Sequence, residues 1–156
     1  MLLKRKNNSV LMAIDPGVNG GIAWRCIEGI IHAIKMPAGL ADIADKIRSI
    51  KVENPGITAI IEKTGTYMPG NSGVGAVTFA RHCGNLEAIL YTLGISTEQV
   101  TPQKWQKCLG ALPKEKKERK LAIKEWVARR RPELTVTLQT ADALAILECA
   151  HKLEIA

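Results

Sequence analysis

The sequence predicts an α/β protein with five apolar strands, the first three forming a meander and the last two set among helices. Three observations carry that expectation. First, Val10–Ile14, Ile22–Cys26 and Ile30–Lys35 are short apolar runs separated only by the Gly-rich segment 15–21 and by a turn at Glu28-Gly29. Such spacing suits antiparallel neighbours joined by tight turns. Second, the later apolar runs, Ile57–Ile61 and Ile95–Val100, each follow a segment whose apolar residues recur at helical spacing. Third, two of the strands run straight into an acid, Asp15 after the first and Glu62 after the fourth.

The remaining elements follow in order. Residues 1–8 are polar and basic and read as a frayed terminus. From Leu40, apolar residues at 40, 43, 44, 47 and 50 predict a helix that ends at Asn54-Pro55-Gly56. The segment 63–73 is rich in Gly, Thr and Pro and reads as a loop on the same rim as Glu62. A long helix spans 74–93, closed by Gly94, with Val77, Ala80, Arg81, Gly84, Ala88 and Tyr91 along one stripe. Its small residues would let a second helix approach closely. Thr101-Pro102 opens a brief helix through Trp105 and Leu109. A charged helix over 114–131 has a thin apolar stripe of Ile123, Trp126 and Val127 and stops before Pro132. The last helix, from Leu138 to His151, is apolar nearly all round and is expected to pack across the sheet, with Thr140 as its N-cap.

At 156 residues, 46% hydrophobic and 24% charged, the chain is long enough to bury a core and reads as one domain over 1–156. Three Trp, two Tyr and one Phe leave that core aliphatic. The formal charge of +7 suits a polyanionic partner, nucleic acid first and an acidic membrane surface second. Four widely spread cysteines show no zinc or redox spacing, so reduced thiols and a cytoplasmic setting are expected (the host cytoplasm if phage-encoded). The apolar run after Lys4-Arg5-Lys6 is too short for a signal peptide or a membrane span, so no membrane association is expected.

Three acids stand out, and each has a plain structural reading. Asp15 before Pro16-Gly17 could shape a turn, and Asp142 in the first turn of the last helix could serve the helix dipole. Glu62 is harder to dismiss, because a carboxylate at the end of a buried strand is costly without a partner. Two strand-end acids and one helix-start acid from distant segments suggest a shared site. Clustered carboxylates repel unless cations lie between them, and hard oxygen donors favour Mg²⁺ or Mn²⁺. Two such ions can activate a water and stabilise the leaving oxygen of a phosphodiester.

Ala13-Ile14-Asp15-Pro16-Gly17, Ile60-Ile61-Glu62 and Ala141-Asp142-Ala143-Leu144-Ala145 together resemble the RuvC family of Holliday-junction resolvases, of phage type by the chain's small size. The resemblance implies a ribonuclease H-like fold, a central mixed five-stranded sheet flanked by helices. It also implies a homodimer that places paired nicks in four-way DNA junctions by Mg²⁺-dependent hydrolysis, with Mn²⁺ able to substitute. On that resemblance Asp15, Glu62 and Asp142 are the catalytic, metal-binding acids. The family usually carries another acid, or sometimes a histidine, three residues before the last one, where this chain has Gln139. A glutamine offers a carbonyl oxygen to a metal but neither charge nor base.

For DNA, the loop after Glu62 presents Tyr67 and Met68, where the family tends to place a bulky residue at the junction centre. A tyrosine there can stack on an exposed base or simply pack on its own loop. Lys104 and Lys107 resemble the family's basic residues near the bound strand. Lys114, Lys116 and Lys117 open a helix where cations oppose the dipole, which suggests phosphate contact, although a charge run also makes an ordinary solvated face. His82 and His151 read as ordinary helical histidines. Two other functions compete with a nuclease. One is a junction-binding protein whose catalysis decayed through Gln139. The other takes the Asp15–Gly21 turn as a phosphate loop of the actin-like ATPases, but that fold needs two such domains, so no nucleotide cofactor is expected.

Overall fold

A computed structural model describes residues 9–63 and 73–153. Its centre is a five-stranded sheet of β1 (Leu11–Asp15), β2 (Gly21–Arg25), β3 (Ile31–Lys35), β4 (Thr58–Glu62) and β5 (Thr97–Val100). The spatial order is β3-β2-β1-β4-β5. The first three strands pair antiparallel, whereas β4 pairs parallel to β1 and β5 parallel to β4. The sheet is therefore mixed, as expected. The parallel half is reached through helices α1 (Leu40–Glu53) and α2 (Gly73–Thr92), because parallel strands need a long crossover.

The central strands β1, β2 and β4 are buried on both faces, and the alternation along each sorts its residues between two cores. Met12, Ile14, Ile22, Trp24, Ala59 and Ile61 pack on the side that buries Ile43, Ile47 and Ile50 of α1 and Leu86 and Leu90 of α2. Leu11, Ala13, Ala23 and Ile60 face the other side. There they meet α3 (Pro102–Gln106), α4 (Lys116–Arg130) and α5 (Ala141–Cys149). Ala13, Ala23 and Ala33 stand opposite one another across three strands. This row of methyl groups is the floor on which α5 lies, with Ala141, Ala143, Leu144, Ala145, Ile146 and Leu147 all buried. Small residues on both surfaces bring helix and sheet backbones close together.

Thr140 stands at the N-cap of α5 as expected, but its side chain caps no helix N–H and instead accepts the Thr137 N–H at 3.1 Å. The Thr140 N–H in turn donates to Thr137 Oγ1 at 3.2 Å. On α2, the stripe of Val77, Ala80, Arg81, Gly84, Ala88 and Tyr91 is exposed, while Leu86 and Leu90 face the core.

Candidate active site

Period-two alternation brings the acids together. Asp15 follows Leu11 and Ala13 on the α5 side of β1, and Glu62 follows Ile60 on the same side of β4. Ala13 lies opposite Ile60 and Ile14 opposite Ile61. One step further, the parallel register delivers both carboxylates to the same sheet edge. Asp142 reaches that edge from the first turn of α5, which crosses β1 and β2 on this face.

The acids are close enough for Asp142 to act on the charge of both Asp15 and Glu62. Asp15 is pushed up to about 8, chiefly by burial, with the charges of Asp142 and Glu62 adding to the rise and Lys120 opposing it. Glu62 rises to about 7, chiefly by burial, with Asp142 adding to the rise and a Trp105 hydrogen bond opposing it. Asp142 is raised by burial and held back by Lys120 and Arg119. Loss of water disfavours a carboxylate, and a like charge nearby does so again. Cations between the oxygens would relieve both effects.

The donor set fits a hard divalent cation in charge and atom type. The Oδ1 atom of Asp142 is buried and has no hydrogen-bond partner among the described residues, which is costly unless something else meets it. As placed, the three carboxylates do not close on a single point. Among the described residues no three acid, histidine or cysteine side chains gather tightly enough to ligate one ion.

Gln139 lies in the turn before α5 with its side chain exposed. Its backbone carbonyl, however, is packed against the sheet. A Cβ on Gly21 would stand 2.6 Å from that oxygen, so only glycine fits beneath it. The loop between Asp15 and β2 is equally tight: a Cβ on Gly20 would fall 2.0 Å from the Asp15 carbonyl. These glycines fix Asp15 and the start of α5 relative to one another.

Lys104, Lys107, Lys114, Lys116 and Lys117 are exposed, the first on α3, the second in the 3-10 turn Lys107–Leu109, and the others at or just before the start of α4. The misfit of lysines at that helix start has a local remedy. Glu115 caps α4 by accepting the Glu118 N–H at 2.8 Å, and Glu118 adds a negative charge in the first turn. Tyr67 and Met68 lie outside the described residues.

Two residues of the site were not singled out from the sequence. Lys120, on the half-buried side of α4, is the cation that lowers Asp15, Glu62 and Asp142 alike. It shares a helix face with Ile123 and Val127, and a lysine in an apolar stripe is a signal that could have found it. Trp105, fully buried on α3, donates its indole N–H to Glu62 Oε2 at 2.6 Å. Only the partner's position, not the sequence, reveals that bond.

No protein-family model and no curated protein matches the chain. Solved structures do. Thermus thermophilus RuvC in complex with a Holliday junction substrate superposes with a TM-score of 0.61 at 18% identity, over 89% of this chain and 90% of that one. The fold is that of RuvC. A second Thermus thermophilus RuvC structure gives a TM-score of 0.52 at 17% identity, covering 92% of this chain and 93% of the other. The RuvC fold thus spans nearly the whole chain, with Asp15 and Glu62 at one edge of its sheet and Asp142 at the start of the helix that crosses it.

Proposed function

We propose that this protein is a metal-dependent, structure-selective DNA endonuclease that nicks Holliday junctions and other branched DNA by phosphodiester hydrolysis. The observation that carries this reading is that Asp15, buried, and Glu62 and Asp142, half-buried, converge on one edge of the sheet in a RuvC fold. The Thermus thermophilus RuvC that shares the fold was solved on a Holliday junction substrate, which supports branched DNA as the ligand. A net charge of +7 suits a surface that meets phosphates.

Asp15, Glu62 and Asp142 would hold Mg²⁺ or Mn²⁺, with Gln139 near enough in sequence to add a carbonyl oxygen. When bound, such an ion supplies Lewis-acid activation of water and stabilisation of the leaving oxygen. The chain's own residues supply the rest. The sheet fixes Asp15 and Glu62, and the helix carries Asp142 against them. Lys120 keeps the three acids closer to their charged forms, which ligation requires. Lys104, Lys107, Lys114, Lys116 and Lys117 hold the DNA backbone by phosphate contact, which positions the strand without reading its sequence. Tyr67 and Met68 are proposed to meet the junction centre.

We further propose a homodimer, needed for paired nicks on opposite strands. The exposed stripe of Val77, Ala80, Gly84, Ala88 and Tyr91 on α2 is its candidate surface. A Cβ on Gly84 would meet nothing, so a partner helix can approach the backbone there. A cytoplasmic setting is in keeping with this role. Among the described residues no helix is long and apolar enough to cross a membrane.

A second reading, a junction-binding protein without catalysis, draws on Gln139, which lies exposed and brings no charge to the site. Labelled four-way junctions incubated with Mg²⁺ or Mn²⁺ separate the two. Nicks lost in Asp15→Asn or Glu62→Gln support the nuclease, and clean binding without nicks under either ion supports the alternative.

A further inference from the structure

Glu62 is held by the sheet at its backbone and has the longest side chain of the three acids. Its strand lies between β1 and β5, with Glu62 opposite Val100 and the next amide, Lys63 N–H, bonded to the Val100 carbonyl at 2.7 Å. A glutamate nevertheless has three rotatable torsions beyond the Cα, and a like-charged neighbour favours swinging it away from the site. The Trp105 indole opposes that. Its N–H donates to Glu62 Oε2 at 2.6 Å, at the short end for a charge-assisted bond.

The indole is itself immobile. Trp105 is 0% exposed and belongs to the core with Val100, Ile123 and Val127. Its helix is pinned at the start, where Thr101 Oγ1 accepts the Lys104 N–H at 3.3 Å and Pro102 sets the first turn. That start directly follows Val100, the residue paired with Glu62. Five residues of chain therefore run from the Glu62 strand pair to the group that grips the Glu62 side chain. An indole N–H can only donate, so it binds a carboxylate oxygen whatever the state of the other. With Oε2 engaged, Oε1 is the oxygen left for an ion.

We propose that Trp105 is the positioning residue for Glu62, holding one carboxylate oxygen so that the other stays aimed at the metal site. This rests on the metal-dependent reading above. The plain alternative is that a buried indole merely needs an acceptor, in which case the bond serves the core and not the ion.

The two differ in metal affinity at unchanged stability. Replacing the Trp105 indole with its benzothiophene analogue, sulfur for N–H, keeps shape and apolar area but removes the donor. Trp105→Phe is the genetically simple companion. Mn²⁺ binding is measured by calorimetry on the full chain beside thermal unfolding. Partners of metal ligands typically change affinity about 10- to 100-fold when removed, so weakening of that size with a near-parental melting temperature is expected for the analogue. Mn²⁺ affinity within about twofold of wild type in the analogue overturns the positioning role while leaving the nuclease reading intact. Absence of Mn²⁺ binding by the wild-type protein overturns the reading of the site and the role of Trp105 with it. If Trp105→Phe unfolds, the indole N–H resonance of the ¹⁵N-labelled wild type decides. It shifts on Mg²⁺ addition, but not in Asp142→Asn, if Glu62 links the indole to the ion. An unmoved resonance at saturating Mg²⁺ overturns the role.

Discussion

The α-carbon of Gly21 lies beneath the backbone carbonyl of Gln139, so close that a Cβ there would stand 2.6 Å from that oxygen and 2.9 Å from the Ile34 carbonyl. Both obstacles are backbone, which cannot rotate aside. Gly21 opens β2 opposite Asp15, and Gln139 leads into the helix that carries Asp142. This single contact therefore sets the spacing between two acids of the site.

Gly21→Ala should push the start of α5 off the sheet. Overpacking of this kind costs about 1–3 kcal/mol. For a chain of this length that lowers the melting temperature by roughly 2–10 °C, read by thermal unfolding monitored by circular dichroism. Because Asp142 moves with the helix, Mg²⁺-dependent cleavage should fall by more than the loss of stability explains.

Stability should depend on pH through the buried acids. In the unfolded chain Asp15 and Glu62 titrate near about 4, but in the fold they rise to about 8 and about 7. Between those values the folded chain binds more protons than the unfolded one, so stability falls as pH rises. Their favourable contribution is complete below the unfolded values and lost as pH passes the folded ones. Without divalent ions the melting temperature should drop from about pH 5 to about pH 8, and Asp15→Asn should flatten the slope. Mg²⁺ should restore stability, and more so at the higher pH, since an ion competes with protons for the same oxygens.

Lys120→Gln removes the positive charge that lowers all three acids. The acids then keep their protons to higher pH, so the acid limb of the cleavage profile moves in the alkaline direction. At neutral pH the rate should fall roughly tenfold, the scale on which one close charge acts on a carboxyl group. Charge removal at exposed Lys114, Lys116 and Lys117 should behave differently. It should weaken junction binding evenly across sequences and reduce the salt dependence by about one unit of slope per lost phosphate contact, with the pH profile unchanged.

Much of the fold, and the direction of the three acids toward one sheet edge, was legible in the sequence, because both depend on short-range periodicity. Alternation along Leu11–Asp15 and Thr58–Glu62 decides which face each acid occupies, and the apolar run of α5 decides what covers it. What depends on long-range approach was not legible. The Trp105 to Glu62 bond spans 43 positions, and no local pattern announces it. The α2 stripe was read from its small residues, and the fold leaves it facing outward.

That stripe yields a test of assembly. Gly84→Arg places a long charged side chain where a Cβ meets nothing in the monomer, and replacing a mid-helix glycine gains up to about 1 kcal/mol of helix propensity. By sedimentation the wild type should run as a dimer and Gly84→Arg as a monomer at least as stable as its parent. A dimer that persists would move the interface elsewhere.

The central claim is that Asp15, Glu62 and Asp142 form one metal-dependent hydrolytic site. It is tested most directly by incubating an end-labelled four-way junction with wild type and Asp142→Asn, with Mg²⁺ and with chelator, and mapping the nicks on each strand. A single hydrolytic site predicts nicks by the wild type with Mg²⁺ alone, and none by Asp142→Asn, which still retards the junction on a gel. Full cleavage by Asp142→Asn, or cleavage by the wild type that persists in chelator, would contradict it.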